Sequence, residues 1–366
     1  MSESKTQVRQ SKVGYRVAVV GATGAVGREL LSVLASRKFP ISQLILFSSK
    51  RSEGQVILWR EKSHRCQVLQ KGCFQGVDFA FFDASDEVSR QWVPEAAESG
   101  AWVIDNSATF RMKNDVPLLV PEVNAELLAD RLRNPSALSA SERILSGPNC
   151  STVELVLALK PISDRWGLKR VVVSTYQSVS GAGSAAMREL SSQTLALFNQ
   201  QSVEPQVFAH PIAFNCIPQI GGFKENGYTS EEQKIMEESR KILGLPQLKI
   251  SATAVRVPTF SCHGESVNVE CEREFDLEEV REALRAQSGV IVQDDPEKKI
   301  YPLSVTSEQE EGVEAATGRD AVYVGRIRRD QSVPFGVNFW VVSDNLRKGA
   351  ALNAVQIAES ILVGVR

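Results

Sequence analysis

Residues 17–27 are VAVVGATGAVG, a short β-branched run that leads into three glycines spaced three apart. The β-branched run is typical of a buried parallel strand, and the pattern from Glu29 to Leu34 favours a helix after it. Glycines in a strand-to-helix turn let the backbone approach a pyrophosphate, which binds at the helix N-terminus. The spacing differs from GxGxxG, so a tight turn without a ligand stays an alternative. The segment predicts the start of a doubly wound nucleotide-binding sheet.

Three further strands are predicted at the spacing of such a sheet, with one helix among them. They are strands Leu44–Phe47, Asp78–Phe82 and Trp102–Asp105, and helix Ser89–Glu98. Ligands of doubly wound sheets bind beyond the carboxyl ends of the strands. Arg111 follows the last of these strands and is placed to reach an anionic substrate or phosphate; an exposed arginine without a role is the alternative.

The second strand ends at a cluster of hydroxyl and cationic side chains, Ser49, Arg51 and Ser52. A site specific for NAD usually has an acidic residue here, which binds the ribose hydroxyl. Serine and guanidinium donors match the oxygens of a 2′-phosphate. The cluster therefore predicts NADP rather than NAD, with a solvated basic loop as the alternative.

Cys150 stands in the string GPNCST, residues 147–152, directly before the predicted helix Val153–Leu159. A thiol at a helix N-terminus feels unpaired N–H groups and the positive end of the helix dipole, and both favour thiolate. Pro148 makes the turn rigid. Cys150 is therefore the candidate nucleophile, against the alternative of a cysteine that only fills space.

Two polar candidates lie near predicted strands in the second half of the chain. Gln177 follows the predicted strand Arg170–Tyr176 and begins the small-residue turn QSVSGAG, where glycines permit close approach to a cofactor or acyl group. His263 has an imidazole that could accept the thiol proton and later return a proton. A polar strand end and a surface histidine are the alternatives. His64 is expected on the surface, and His210 in a loop.

Three charged residues suggest an anion site. Arg256 could bind a substrate carboxylate with two parallel hydrogen bonds, which lysine cannot do. Glu231 and Lys234 are three residues apart, so on a helix they share one face and could meet an amino group and a phosphate. A solvated helix face is the usual meaning of such a string.

Composition limits the class of protein. A chain of 366 residues suits two domains, and 42 basic against 44 acidic residues give no argument for nucleic acid or an anionic membrane. Residues 1–16 lack the apolar core of a signal peptide, and no apolar stretch has membrane-spanning length. The six cysteines show neither CxxC pairs nor metal-finger spacing, which predicts reduced thiols, no metal and a cytoplasmic location.

From Val17 to Glu359, the order and separation of these motifs resemble the aspartate-semialdehyde dehydrogenase family. The shared segments also include Asn106–Arg111, Val120–Asn124, Asp344–Ala351 and Asn353–Glu359, the last resembling the family's final helix. One place departs from the resemblance. Relatives usually carry a small, glycine-rich turn where this chain has Asp83-Ala84-Ser85-Asp86, which puts that cofactor contact in doubt.

The resemblance implies roles for individual residues. Cys150 is implied as the nucleophile, Gln177 as the residue that positions the acyl group, and His263 as the acid/base. The implied phosphate and substrate ligands are Arg111, Asn149, Glu231, Lys234 and Arg256. The implied cofactor contacts are Gly21, Thr23, Gly24, Ala25, Val26, Ser49, Arg51, Ser52, Ser178, Gly181 and Asn345.

The implied reaction is the NADPH-dependent conversion of 4-aspartyl phosphate to aspartate 4-semialdehyde through a Cys150 thioester, a step in lysine, threonine and methionine biosynthesis. An N-acetyl-glutamyl-phosphate reductase and a non-catalytic NADP-binding module are the alternatives. A free amino acid end on the substrate suits Arg256 and Glu231, which favours the aspartyl compound over the acetylated one. Reactivity of Cys150 would argue against the non-catalytic module.

The predicted fold is α/β: a Rossmann-type doubly wound NADP-binding domain and an α+β catalytic and dimerisation domain with a mixed sheet. The first domain is predicted at 1–149 with the C-terminal helix 345–366, and the second at 150–344. Predicted elements of the second are strands Ser266–Cys271, Ala321–Ile327 and Val337–Val342 and helix Leu277–Ala286. The expected assembly is a homodimer or a homotetramer.

Overall fold

The computed structural model describes residues 14–307 and 312–364, which form two large sheets, a hairpin and nine helices within those ranges. The strands are β1 Tyr15–Val20, β2 Ile41–Phe47, β3 Val56–Trp59, β4 Lys62–Arg65, β5 Phe79–Phe82, β6 Trp102–Asp105, β7 Ile144–Ser146, β8 Leu168–Gln177, β9 Lys249–Arg256, β10 His263–Cys271, β11 Val290–Val292, β12 Val322–Asp330 and β13 Gly336–Ser343. The helices are α1 Ala25–Ser36, α2 Asp86–Glu98, α3 Pro121–Asn124, α4 Ala129–Arg133, α5 Cys150–Trp166, α6 Ser184–Phe198, α7 Ser230–Leu243, α8 Leu277–Ala286 and α9 Leu352–Gly364.

The first sheet is parallel, in the order β2-β1-β5-β6-β7. Successive side chains of a strand point to opposite faces, and β1 shows this directly. Val17 and Val19 pack in the core that contains α1 and α9, whereas Ala18 and Val20 pack in the core that contains part of α2. Burial on both faces explains why these strands are continuous hydrophobic runs. The predicted doubly wound sheet is confirmed.

The second sheet is mixed, in the order β11-β12-β13-β10-β8-β9. Its two outer pairs are parallel and its three inner pairs are antiparallel. Alternate residues such as Val171, Val173, Val267 and Val269 are buried in one core with α5 and parts of α7 and α8. The predicted α+β fold with a mixed sheet is confirmed.

Strand register brings three predicted site residues to one end of the second sheet. Gln177, the last residue of β8, pairs with His263 of β10 and with Arg256 of β9. The same strand order places β8 between β10 and β9. A polar amide, an imidazole and a guanidinium thus start from adjacent backbone positions, although they are far apart in the sequence.

The predicted domain boundaries, 1–149 with 345–366 and 150–344, stay a prediction. The strands of the parallel sheet all precede Cys150, and those of the mixed sheet all follow it. Residues 1–13, which the sequence predicts to contain no signal peptide, and 365–366 of the predicted C-terminal helix lie outside the described residues. Within the described ranges, no helix is long and apolar enough to cross a membrane.

The turn between β1 and α1 depends on close backbone packing at Gly27. A Cβ added there would lie 2.3 Å from the carbonyl oxygen of Gly21 and 2.9 Å from Cα of Ala22. Both neighbours are backbone atoms, so the turn itself would have to move. The glycine therefore lets α1 lie directly against the turn that precedes it.

We expect Gly27→Ala to lower the melting temperature. Alanine favours a helix over glycine by about 1 kcal/mol, but forcing a backbone shift in a packed core costs up to about 3 kcal/mol, for a net loss of up to about 2 kcal/mol. Thermal unfolding followed by circular dichroism measures the change. Gly222→Ala is the matched control, because a Cβ there meets nothing within 4 Å. Equal melting temperatures for the two variants would contradict this account.

Candidate active site

The nucleophile candidate lies where the parallel sheet passes into α5. Cys150 is the first residue of α5, and Asn149 is its N-cap, whose side-chain oxygen accepts a hydrogen bond from the Ser151 N–H at 3.1 Å. The helix begins three residues before the predicted start at Val153, because the cap satisfies the first turn. Cys150 therefore occupies the predicted position at a helix N-terminus.

The sulfur of Cys150 contacts the imidazole of His263, with 3.3 Å between Sγ and Nε2. The other ring nitrogen, Nδ1, accepts a hydrogen bond from the backbone N–H of Ser178 at 3.1 Å. A backbone N–H can only donate, so Nδ1 carries a lone pair and a neutral ring carries its proton on Nε2. His263 therefore presents an N–H to the sulfur.

Burial determines the protonation of this pair. Burial, together with the Glu231 carboxylate, raises the pKa of the Cys150 thiol to about 12, although Arg256 and Arg111 act in the opposite direction. Burial and Arg256 lower the pKa of His263 to about 3. The free protein therefore holds a neutral thiol beside a neutral imidazole. The thiolate favoured by the helix N-terminus is not the resting state, because burial and a carboxylate outweigh the helix dipole.

Glu231 lies at the centre of a buried polar group beside the nucleophile. Its Oε1 accepts hydrogen bonds from Asn149 Nδ2 at 2.7 Å and from Gln177 Nε2 at 3.3 Å. Lys234 lies one helical turn away on α7, with 3.5 Å between its Nζ and Oε2 of Glu231. The prediction that 231 and 234 share a helix face therefore agrees with the structure. Glu231 is buried, whereas Lys234 stays partly exposed.

Arg256 also lies near the pair formed by Cys150 and His263. Its NH1 donates to the carbonyl of Ser178 at 2.7 Å, the residue whose N–H binds His263. A Cβ on Gly181 would lie 3.0 Å from Arg256 NH1 and 3.3 Å from His263 Nε2. The predicted small-residue turn thus packs directly against the buried guanidinium and imidazole.

Arg111 is buried, against the alternative of an exposed arginine. Its NH1 forms an ion pair with Glu238 at 3.0 Å, and its NH2 donates to the carbonyl of Asn106 at 2.5 Å. Its Nε has no hydrogen-bonding partner among the residues that the structure describes. A buried donor without a partner is costly, so this atom suits an incoming anion.

A cavity of about 290 Å³ joins Cys150, Asn149 and Arg111 to Val26 in the first turn of α1, whereas Gln177, Glu231, Lys234, Arg256 and His263 are not among its lining residues. Lining residues include Val26, Asp83, Arg111, Cys150, Gly181 and Asn345. A Cβ on Gly21 would lie 2.1 Å from the carbonyl oxygen of Asp83, so only glycine fits at the base of the turn. Gly24 is the N-cap of α1 and supplies no side-chain cap, which leaves the first N–H groups of the helix available to a ligand.

The remaining predicted cofactor residues form three groups. Ser178 and Asn345 are buried, and Asn345 Oδ1 lies 3.2 Å from Ser178 Oγ and 3.1 Å from Oγ of Ser180, a buried residue that was not predicted. Ser49 and Arg51 are exposed at the end of β2, beyond the residues that line the cavity. The other members of the predicted set, Thr23, Ala25 and Ser52, are half-buried.

Comparisons with known proteins cover almost the whole chain. Residues 16–131 match the family model described as semialdehyde dehydrogenase, NAD binding domain, and residues 159–348 match semialdehyde dehydrogenase, dimerisation domain. The chain is 48% identical to the aspartate-semialdehyde dehydrogenase of Aquifex aeolicus over 352 residues, which are 96% of this chain and 98% of that protein. It is 45% identical to the Bacillus subtilis protein of the same name over 95% of this chain and 97% of that one.

The chain belongs to the aspartate-semialdehyde dehydrogenase family.

A solved structure agrees with this assignment. The crystal structure of aspartate semialdehyde dehydrogenase II from Vibrio cholerae, titled as complexed with ASA, superposes with a TM-score of 0.88 at 44% identity. The match covers 96% of this chain and 99% of that chain. The predicted family resemblance is confirmed, and the roles of single residues stay predictions.

Residues 83–86, where the sequence predicts a departure from the family pattern, have a structural role here. Asn106 Nδ2 donates to Asp83 Oδ1 at 2.6 Å, and Asp86 accepts from the backbone N–H of Ala108 at 2.9 Å. Ser85 is the N-cap of α2. Burial, together with the charge of Asp105, raises the pKa of Asp83 to about 7, although Asn106 opposes the shift. One of the two acids therefore titrates near neutral pH inside the cavity wall.

Sequence reasoning missed several residues of this family member's site. Glu238 is seven residues after Glu231 and so lies on the same face of α7, a signal that helical periodicity offered. Gly349 lies in the wide turn Arg347–Ala351, and a Cβ there would be 2.8 Å from Cβ of Cys150. Only the tertiary structure shows that contact. His64, expected on the surface, is half-buried beside Trp59, while His210 is exposed as its loop position suggested.

Two buried acids, Glu154 and Glu265, lie on the same elements as Cys150 and His263. Glu154 follows Cys150 by one turn of α5, and Glu265 follows His263 by two residues on β10; both are fully buried. Burial, and then the charge of Glu265, raises the pKa of Glu154 well above its usual value, and burial does the same for Glu265. Two adjacent buried carboxyl groups cannot both ionise, so the pair keeps a proton.

This pair makes a prediction about pH. Because the pKa values are higher in the folded than in the unfolded protein, the free energy of unfolding decreases as pH rises above the unfolded value of about 4.3. Glu154→Gln removes one of the two acids. We expect the melting temperature of Glu154→Gln minus that of the unsubstituted protein to increase as the pH is raised from about 5.5 to about 8.5.

Differential scanning fluorimetry across that range checks the expectation. Glu126→Gln is the control, since Glu126 is exposed on the surface. Its difference from the unsubstituted protein should be the same at every pH. A Glu154→Gln difference that is equally independent of pH would show that the buried acids are not neutral in the folded state.

Proposed function

We propose that this protein is an NADP-dependent, phosphorylating aspartate-semialdehyde dehydrogenase. It converts 4-aspartyl phosphate and NADPH to aspartate 4-semialdehyde, phosphate and NADP, in lysine, threonine and methionine biosynthesis. The observation that carries the proposal is Cys150 Sγ at 3.3 Å from His263 Nε2, in a cavity that Arg111 also lines. A thiol, a proton-bearing imidazole and a buried cation are the parts that acyl transfer from a phosphate requires.

In the first half of the reaction, the sulfur of Cys150 attacks the acyl carbon and the C–O bond to phosphate breaks. The thiol is neutral at rest, and its proton leaves with the phosphate. Arg111 accepts the leaving group on its unpartnered Nε, and Lys234 adds a second positive charge. Gln177 directs an amide towards the substrate position beside Cys150. Glu231 pairs with the substrate ammonium, and Arg256 with its carboxylate.

In the second half, the thioester on Cys150 is reduced. The nicotinamide, when bound, supplies the hydride. The adduct on Cys150 then collapses to the aldehyde, the sulfur leaves as a thiolate, and a proton taken from solvent restores the neutral thiol of the resting protein. His263 carries its proton on Nε2 at 3.3 Å from that sulfur, so it stabilises the departing thiolate with a hydrogen bond. His263 therefore acts as a hydrogen-bond donor to the sulfur in this step, where the family resemblance implied an acid/base.

The residues present fit NADP. The turn of Gly21, Thr23, Gly24, Ala25 and Val26 leaves an uncapped helix N-terminus for the pyrophosphate. Ser49, Arg51 and Ser52 would hold the 2′-phosphate at the end of β2, where a carboxylate would select against it. Gly181 and Asn345 line the cavity together with Cys150, and with Ser178 they would hold the nicotinamide end.

The buried Glu231 favours the aspartyl substrate over the N-acetylglutamyl one. A free ammonium gives the buried carboxylate a second charged partner, whereas an acetylated nitrogen carries no charge and adds nothing to the ion pair with Lys234. The contact between Cys150 and His263 argues against a non-catalytic module. The matched dimerisation domain supports a homodimer, or a tetramer built from such dimers. All six cysteines are free thiols, which supports the cytoplasm as the compartment.

The deciding assay follows NADPH absorbance while the protein oxidises aspartate 4-semialdehyde with NADP and phosphate. We expect turnover that requires phosphate and that is weaker with NAD or with N-acetylglutamate semialdehyde. Cys150→Ala should lower kcat by a factor of about 10⁴ while NADPH still binds, because no other group forms the thioester. Cys216→Ala is the control, since Cys216 is an exposed free thiol. Substantial turnover by Cys150→Ala would exclude the proposed mechanism.

Asp83 predicts a pH dependence of cofactor binding. Its carboxyl group, with a pKa raised to about 7, is neutral below that pH and negative above it. A negative charge beside the glycine turn repels the pyrophosphate. From about pH 6 to about pH 8.5, we therefore expect the Kd for NADPH to rise several-fold more in the unsubstituted protein than in Asp83→Asn.

Titration calorimetry at the two pH values measures this without turnover. Asp86→Asn serves as control, because Asp86 is exposed and bonded to the Ala108 N–H. It should follow the unsubstituted protein. Parallel pH profiles for Asp83→Asn and the unsubstituted protein would show that Asp83 does not act on the cofactor.

A further inference from the structure

Glu238 connects two parts of the site that lie far apart in the sequence. It is on α7 and is buried, with only 1% of its surface exposed. One carboxylate oxygen accepts from Arg111 NH1 at 3.0 Å, and the other accepts from the backbone N–H of Asn149 at 2.6 Å. Asn149 immediately precedes Cys150. A single carboxylate thus joins the cation of the cavity to the residue before the nucleophile.

The same helix also fixes the loop that carries Arg111. Lys241 Nζ donates to three carbonyls of that loop, those of Arg111, Lys113 and Val116, at 2.6, 2.7 and 2.9 Å. With the backbone held, two contacts orient the guanidinium: the carbonyl of Asn106 on NH2 and the carboxylate of Glu238 on NH1. Charge-assisted hydrogen bonds of this kind are short and strong, and they specify geometry.

We propose that Glu238 is a positioning residue that holds the phosphate-binding guanidinium of Arg111 and the nucleophile loop in one fixed relation. This inference rests on the proposed function. An acyl phosphate bound by Arg111 then lies at a fixed distance from Cys150, because Arg111 and the residue before Cys150 are hydrogen-bonded to the same carboxylate. Reaction rates are sensitive to displacements of about 1 Å between reacting groups. Phosphate bound to Arg111 competes with Glu238 for the guanidinium. We therefore expect phosphate binding to change the hydrogen bond between Glu238 and the Asn149 N–H.

Glu238→Gln tests the geometry with little change in volume. Both partners of Glu238 are donors, and an amide offers only one acceptor oxygen, so one of the two contacts is lost. We expect the KM for phosphate to rise about tenfold and kcat to fall about tenfold, in line with the loss of a charge-assisted hydrogen bond. The KM for aspartate 4-semialdehyde should stay within about twofold, because Glu231 and Arg256 keep their contacts.

Glu237→Gln is the matched control on the neighbouring position. Glu237 is half-buried and bonded to Gln233 on its own helix, away from the cavity lining. Its kinetic constants should equal those of the unsubstituted protein. If Glu238→Gln matched this control, or raised the KM values for both substrates equally, the positioning role would be overturned. Glu238→Asp, which keeps the charge but is too short to reach both partners, should show the same division between the two KM values.

A measurement on the unsubstituted protein needs no variant. Inorganic phosphate is titrated while ¹⁵N resonances of the Arg111 guanidinium and the Asn149 amide are followed. We expect both to shift with one Kd. A shift at Arg111 alone would overturn the inference. Failure of the proposed function would instead appear as absence of turnover in the unsubstituted protein, so the two failures can be told apart.

Discussion

The charges around the nucleophile are buried, and a buried charge is stable only when it is paired. Helix α7 supplies much of that pairing: Glu231 bonds Asn149 and Gln177, and Glu238 bonds Arg111 and the Asn149 N–H. These contacts join the loop after the parallel sheet to a helix that packs on the mixed sheet. The site therefore exists only when the two sheets are docked. Packing and electrostatics are not separable here, because the same two carboxylates hold α7 against the loop before Cys150 and contribute charge beside the cavity.

Close backbone approach is the second constraint on the site. Gly349 lies against Cβ of Cys150, and Gly181 lies against the ring of His263 and the guanidinium of Arg256. A side chain at either glycine would take the space next to the reacting atoms. The chain thus brings its C-terminal turn and the turn after β8 against the catalytic pair while leaving the sulfur reachable from the cavity.

Local sequence patterns predicted most of the fold. Strand Trp102–Asp105 and helix Leu277–Ala286 begin and end where they were predicted, since hydrophobic runs and capping residues mark them clearly. The hairpin β3–β4 was not predicted, because the Lys62–Arg65 strand is polar and lacks a hydrophobic face. For the site, the residues that lie in recognisable motifs, such as Cys150, Gln177 and His263, were predicted from the sequence and from the family resemblance. Glu238 was not, since its partner Arg111 is 127 residues away and its seven-residue spacing from Glu231 indicates only that the two acids share one face of α7.

The protonation of Cys150 shows why local reasoning reached its limit. The helix N-terminus favours a thiolate, but it acts as only a partial charge of about one half. Burial and the full charge of Glu231 act in the opposite direction and raise the pKa of the thiol to about 12. Lys234, with its Nζ 3.5 Å from Oε2 of Glu231, offsets only part of that charge, and in the proposed reaction the substrate ammonium offsets more of it. The thiol is then a weaker nucleophile in the empty site than beside bound substrate. A thiol that stays protonated without substrate is also protected from oxidation, because oxidants react with the thiolate form.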